Sequence, residues 1–395
     1  MSCTELRHPD RVPRLPRVTR RSLMGGLGAA FVLGQSKVSL AAPNANNRLV
    51  VINMRGGVDG LAMIIPYGDP SLAGLRAGLV PSNMIKLDGF YALNPAMPNF
   101  YAMMQAKQGM AIHAVGPPVE IRSHFAAQDY LQNGSTGSLD TGWLNRALAV
   151  SGASGSGLAM ASSVPKLMRG TTLMPGWAPE PYYQTPAALT AQVTAIAAAD
   201  AAVGPADALG FADRAAWNPI IGVRANPATD LGHLALIASE LLAASNGPRV
   251  AAMETDNFDS HDDQNESLPA GLSEVDNALG MLQANLGSAW ANTVVLTMTE
   301  FGRTAYENGT QGTDHGTAFA VLLAGGAVRG GMVMATWPGL TTDQLFQGRD
   351  LAPTVDFRAI AMGVLISHLG LPPSSQQTVF PGSVGIVPLT NLTTS

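Results

Sequence analysis

Carboxylates and imidazoles recur beside glycines at the ends of apolar runs, and these are the side chains that hold divalent cations. In Asp259-Ser260-His261 the acid and the imidazole are two positions apart. On an extended segment both project to one face and form half of a site for zinc or manganese. Asp256, Asp262 and Asp263 flank the pair, so a solvated acidic loop is the competing reading. Glu300 follows the apolar run Thr293 to Thr299 and precedes Phe301-Gly302-Arg303. A carboxylate at the exit of a buried strand needs a cation, an arginine or solvent, and Arg303 is the nearby arginine. Asp314-His315-Gly316 precedes another apolar run, and Gly316 lets the backbone bend sharply beside His315. His315 is thus a candidate ligand, or else a cap on the backbone of the strand. Asp59 lies in Arg55-Gly56-Gly57-Val58-Asp59-Gly60, where the chain can approach a ligand closely or simply turn.

A second group is Arg122-Ser123-His124. Ser123 reads as the N-cap of a helix from His124 to Gln132. A helix N-terminus also attracts anions, so Ser123 or His124 facing a metal could receive a phosphate or sulfate group. Arg122 or Arg303 could hold such an anion through paired hydrogen bonds. The glycines of 56–60 match neither a dinucleotide nor a P-loop pattern. A G-x-S-x-G hydrolase elbow at a strand-to-helix turn is absent.

These residues need a scaffold that gathers them. Apolar runs at 48–54, 109–115, 249–254, 293–299 and 318–324 predict strands. Helical spacing predicts helices over 231–245, 272–289 and 350–369. Alternation of the two types predicts an α/β fold with a mainly parallel sheet and helices on both faces. In such sheets ligands gather at the carboxyl ends of the strands, where the candidate residues fall. Residues 150–225 are rich in Ala, Gly, Ser and Pro and predict an insertion or cap over the sheet edge, partly helical over 185–202. Residues 383–387 could add an edge strand.

The 395-residue chain carries a net charge of −5, unevenly spread. Residues 1–42 hold seven basic and two acidic side chains, which leaves 16 basic against 26 acidic in the remainder. A body that acidic lacks the electrostatic footprint of a nucleic-acid binder. Thr19-Arg20-Arg21-Ser22-Leu23-Met24, a weakly apolar glycine-rich stretch and the small residues ending at Ala42 have the layout of a twin-arginine export signal. The expectation is a leader over 1–42, a single domain over 43–395, a periplasmic or secreted location, and the twin-arginine export machinery as a partner. No integral membrane segment is expected after cleavage. The one cysteine, Cys3, would leave with the leader, so thiolate-ligated metals are excluded.

Five segments together resemble the exported bacterial family known as domain of unknown function 1501. They are Val51 to Leu61, Arg122 to Asp129, Phe258 to Gln264, Thr299 to Thr304 and Gly312 to Gly316. That family looks like a distant branch of the alkaline phosphatase and sulfatase superfamily, which hydrolyses phosphate or sulfate esters at one or two metals. The resemblance implies an alkaline phosphatase-like fold. It implies that Asp59, Asp259, His261, Glu300 and His315 hold divalent cations, with Asp314 beside them. The ion could be zinc, manganese, magnesium or calcium. Ser123 falls roughly where the nucleophile would be, and a small anionic ester is the implied substrate. Position 301 is Phe where the superfamily has His or Asn. That departure supports the alternative of a non-catalytic secreted binding or assembly protein. A redox protein exported with its cofactor is a third reading, disfavoured by the missing thiols and nucleotide-binding glycines.

Overall fold

Arg48–Met54 forms strand β1, and all seven residues are buried. Leu49 and Val51 face one apolar cluster while Val50, Ile52 and Met54 face another. A strand covered on both faces must be apolar at every position, which is why the run shows no alternation. In this computed structural model the described residues are 46–394 apart from 153–155, 179–186, 202 and 222–229. The side chains of 187–190, 211, 214 and 215 are also outside the description. The candidate leader, with Cys3, lies outside the described residues.

The other strands of the main sheet are β2 (Gly109–Gly116), β3 (Gly157–Ala159), β4 (Val250–Thr255), β5 (Thr293–Met298), β6 (Phe319–Ala324), β7 (Met332–Met334) and β8 (Val355–Asp356). Their spatial order is β7-β2-β6-β5-β1-β4-β3, with β8 extending along β2. β1 pairs in parallel with β4 and β5, and β3 pairs in parallel with β4. β6 alone runs antiparallel to both of its neighbours, β2 and β5. The expected mainly parallel α/β sheet is therefore observed. The reversal of β6 has a consequence for the site. The connection 299–318 leaves β5 and enters β6 at the same end of the sheet, so all of it lies along the carboxyl rim. A small antiparallel sheet of Ile64–Ile65, Ala92–Leu93 and Ile85–Lys86 packs beside the main one.

Four helices matter here: α1 (His124–Asn133), α2 (Leu231–Ala243), α3 (Gln264–Asn285) and α4 (Phe357–Ser367). α2 and α3 pack together and share one apolar cluster with Val50 and Ile52. α4 lines the other cluster with Leu49 and Val51, so helices cover both faces. No helix among the described residues is long and apolar enough to cross a membrane.

Three expectations need correction. The last helix begins at Phe357 rather than Asp350, capped by the Asp356 carboxylate on the Arg358 amide. Pro353 explains the delay, because it disfavours helical backbone in the residue before it and lacks an N–H. The helix predicted over 272–289 instead starts at Gln264 and gives way to a 3₁₀ turn at Gly287–Asn292. Pro269 lies inside this helix and forgoes the amide hydrogen bond to the Asn265 carbonyl. Residues 383–387 form turns rather than a strand, with Gly385 at φ +85° and Val384 and Val387 exposed. Within 150–225, β3 supplies the edge of the sheet, and helices occupy Ala187–Ala198 and Gly204–Ile221.

Candidate metal centre

Three imidazoles and one carboxylate meet at the carboxyl rim. Nε2 of His315 lies 2.9 Å from Nε2 of His124 and 2.9 Å from Nε2 of His261. Oδ1 of Asp259 lies 3.1 Å from Nε2 of His315 and 3.1 Å from Nε2 of His261. Oδ2 of the same carboxylate is 3.3 Å from Nε2 of His124. The ligand atoms of His124, Asp259 and His315 all lie within 4.8 Å of one another.

Each imidazole has its other nitrogen on an acceptor. Nδ1 of His124 is 2.8 Å from Oε1 of Glu300. Nδ1 of His315 is 2.9 Å from the Arg122 carbonyl, and Nδ1 of His261 is 3.3 Å from Oδ1 of Asp314. An Nδ1–H that donates to such a group fixes the tautomer and leaves the Nε2 lone pair free. All three free lone pairs then converge on one region. Lone pairs facing each other at 2.9 Å repel unless a proton or a cation lies among them. Donors bound about 2.0–2.1 Å from a zinc-sized ion stand roughly 3.3 Å apart in a tetrahedron, close to the separations of His315 from His124, from His261 and from Asp259. The donor set fits a divalent cation of borderline softness.

The electrostatics support the same geometry. Burial pulls the Asp259 carboxyl upward, but the hydrogen bond and charge of Arg303, with His315 and His124, outweigh it and hold the pKa at about 2. The Asp259 side chain is 47% exposed, so it is both ionised and reachable. Glu300 is buried, which raises its pKa, yet the His124 hydrogen bond and the backbone amides, Gly56 among them, bring it below the ordinary value. His124 is raised, first by its bond to Glu300. His315 is lowered, first by burial and further by the charges of His124 and Arg303.

The loops that carry these groups are held by particular contacts. Gly56 has φ +117°, and a Cβ there would stand 2.7 Å from the Asp259 amide nitrogen. Only glycine lets the β1 turn lie against the segment that presents Asp259. Arg303 is buried beneath that junction. It donates from Nε to the Gly57 carbonyl at 2.7 Å and from Nη1 to the Thr313 carbonyl at 3.1 Å. Its Nη2 reaches the Phe258 carbonyl at 2.9 Å, Asp259 Oδ1 at 2.6 Å and the Gly56 carbonyl. Phe301, fully buried, lies under the imidazoles, with ring centroids 4.8 Å from His124 and 4.9 Å from His315.

The candidates named from sequence fall into distinct places. Asp259, His261 and His315 come together, although the segment from Asp259 to His261 turns back on itself instead of staying extended. His124, expected as a catalytic group, is itself among the converging donors. A histidine opening a helix after a strand was the available signal. Glu300 and Asp314 stand behind His124 and His261 rather than among the converging atoms. Asp59 is engaged elsewhere. Its Oδ2 accepts from Arg76 Nη1 at 2.7 Å and from Gln264 Nε2 at 2.6 Å, and its Oδ1 accepts from the Leu61 amide at 3.0 Å. Every donor of Arg303 described above goes to the protein, so an anion would find no free edge on it. Arg122 donates from Nε and Nη2 to Asp350 at 3.1 and 2.6 Å, while its carbonyl serves His315. Ser123 occupies the N-cap position of α1 without a side-chain capping bond and is exposed.

Residues 215–378 match the family described as "Protein of unknown function (DUF1501)". The match covers less than half of the chain. It includes Asp259, His261, Glu300, Arg303, Asp314 and His315, and the resemblance read from those segments holds. No curated protein matches the chain. Among solved structures the chain is similar to Ps i-CgsB, with 12% identity and a TM-score of 0.41 over 85% of this chain and 75% of that one. It is similar to a phosphonate monoester hydrolase of Agrobacterium radiobacter, with 12% identity and a TM-score of 0.34 over 82% and 74% of the two chains. A Vibrio parahaemolyticus protein in the alkaline phosphatase superfamily shares 10% identity at a TM-score of 0.34, over 71% of this chain and 60% of its own. Likenesses this distant fix neither activity nor substrate.

Proposed function

We propose that this protein is an exported metal-dependent hydrolase of phosphate or sulfate esters. The observation that carries the reading is the convergence of three imidazole Nε2 atoms and the Asp259 carboxylate, each ring anchored through Nδ1. Three imidazoles favour a zinc-like ion over magnesium or calcium, which prefer oxygen donors. A bound divalent cation supplies Lewis acidity to a phosphoryl or sulfuryl oxygen and lowers the pKa of a coordinated water. His124, His261, His315 and Asp259 would hold it, and Glu300, Asp314 and the Arg122 carbonyl keep the rings oriented. Ser123 is the candidate hydroxyl nucleophile, since it is exposed, free of a capping bond and adjacent to His124. Export by the twin-arginine route rests on the leader pattern of residues 19–42.

Elemental analysis of the purified protein, alongside His315→Ala and Asp259→Ala, tests the centre. The expected result is near-stoichiometric zinc in the native chain and a strong loss in both variants. Equal and near-zero metal in all three would overturn it. Hydrolysis of nitrophenyl phosphate, phosphodiester and sulfate substrates, with zinc, manganese or calcium added, then separates a hydrolase from a binding protein on the same fold.

A further inference from the structure

Asp350 is completely buried and lies between two arginines that the metal-centre reading leaves without a chemical role. Its Oδ2 accepts from Arg122 and from the Thr317 hydroxyl at 2.9 Å. Its Oδ1 has no hydrogen-bond partner, and Nη1 of Arg349 stands 3.4 Å away, within ion-pair range but outside hydrogen-bond geometry. Arg349 also donates from Nη2 to the His315 carbonyl at 2.7 Å. The Arg349 guanidinium therefore touches the backbone of a converging histidine, while Arg122 meets the same residue through its carbonyl. Both remain partly open to solvent, Arg122 at 33% and Arg349 at 37%. Arg349 makes a single side-chain hydrogen bond among the described residues, so most of its planar fork is unspent.

The charge balance shows why this matters. Asp259, Glu300 and Asp314 bring three negative charges to the centre and Arg303 brings one positive charge. A divalent cation leaves that set neutral, and an anion approaching it gains little net attraction. Arg122 and Arg349 add two positive charges against the single charge of Asp350. The side of His315 that these arginines occupy thus carries a net positive charge; Arg122 spends its Nε and Nη2 on Asp350 and Gln347, whereas Arg349 keeps most of a fork suited to two oxygens at once.

We propose that Arg349, steadied with Arg122 across Asp350, is the specificity group that holds the free oxygens of a tetrahedral oxyanion at this centre. The inference rests on the metal-centre reading and names its substrate class as phosphate or sulfate monoanionic or dianionic groups. It differs from the sequence expectation, in which Arg122 or Arg303 served this purpose. Calorimetric titration of the zinc-loaded protein with inorganic phosphate, and separately with inorganic sulfate, tests it in native, Arg349→Met and Arg349→Lys forms. Zinc content and thermal midpoint are read in parallel. The expected result is about tenfold weaker anion binding in the Met variant and partial recovery in the Lys variant, with zinc content unchanged. The preferred anion identifies the ester class. Binding within twofold of native in the Met variant overturns the proposal, as does a fall in thermal midpoint without any change in anion affinity. Should the Met variant fail to fold, the Lys variant decides, since it keeps the charge and loses the fork; native affinity there counts against the proposal. If the native chain takes up no zinc, the metal-centre reading fails. The same titration without zinc then judges Arg349 alone, and undetectable anion binding overturns it.

Discussion

The orientation of a ring decides whether an imidazole can be a ligand, and Glu300 is the residue that decides it for His124. Glu300 is buried, ionised and bound to Nδ1 of His124 at 2.8 Å, while the Gly56 amide donates to the same Oε1 at 2.9 Å. Glu300→Gln keeps the volume but replaces the charge. The carboxamide can present its nitrogen to Nδ1, favour the wrong tautomer and turn the Nε2 lone pair into a donor. Zinc affinity should fall by about 10- to 100-fold, measured by competition with a chromophoric chelator, with little change in fold by circular dichroism. An unaltered affinity would show that Glu300 does not orient the ring. That acids and imidazoles gather at strand ends was legible in the sequence, because Asp259 and His261 follow one apolar run and His315 precedes another. The division between converging donors and the groups behind them was not. Glu300 and His124 are 176 positions apart, and nothing in local spacing says which one joins the converging atoms. The burial of Arg303 was equally hidden, since an arginine after a strand reads as exposed until the loops it ties together are placed.

At the scale of elements, β2 contains an irregularity with a measurable consequence. Its register against β6 shifts between Ile112 and Val115, and Ala114 takes φ +56°. The kink turns His113 inward. Its Nδ1 accepts from the Ala114 amide at 2.7 Å, and its Nε2–H donates to the Ile64 carbonyl at 3.0 Å, joining the small sheet to the main one. Burial is the chief reason its pKa falls to about 4. The unfolded chain protonates such a histidine near 6.5, so it binds more protons than the native state as pH drops through that window. Stability from this group is complete above about pH 6.5 and declines toward pH 4, by roughly 3 kcal/mol in all. His113→Gln retains an amide donor for Ile64 and removes the titration. Urea midpoints for the variant should fall less steeply than native between pH 6.5 and 4, and parallel pH curves would refute the assignment. The sequence announced β2 through its apolar run, which contains His113. The bulge was not legible, because it answers a packing demand from Ile64 rather than a turn residue in β2 itself.

For the whole molecule, the rim is assembled from turns that lie after β1, before α1, after β4, after β5 and before β6. The α/β alternation made that architecture legible, since each strand length and apolar run is local. What the alternation could not show was that β6 runs antiparallel, or that Asp59 has a partner in Arg76 from a short helix at Leu72–Arg76. Both are pairings between distant segments. The second bears on metal count. Asp59 and Arg76 are each about 1% exposed, and Gln264 completes the carboxylate, so this corner is neutralised from within. Asp59→Asn should leave Arg76 buried without its counter-charge and cost about 3–5 kcal/mol, with zinc content unchanged. Zinc lost from a chain of native stability would instead return Asp59 to the ligand set. The centre itself acts on global stability through linkage. Its donors come from segments spanning residues 124 to 315, so an ion that binds them binds only the folded chain. At a free zinc concentration about 100 times the dissociation constant the native state gains about 2.7 kcal/mol. Thermal unfolding should therefore shift upward by several degrees on adding zinc and return on adding a chelator. The Asp59→Asn variant should show the same shift from a lower baseline, because its lesion is structural. Asp259→Ala should show almost none, because its lesion is in the donor set. A native chain whose midpoint ignores both zinc and chelator would mean that the imidazoles converge for a reason other than an ion.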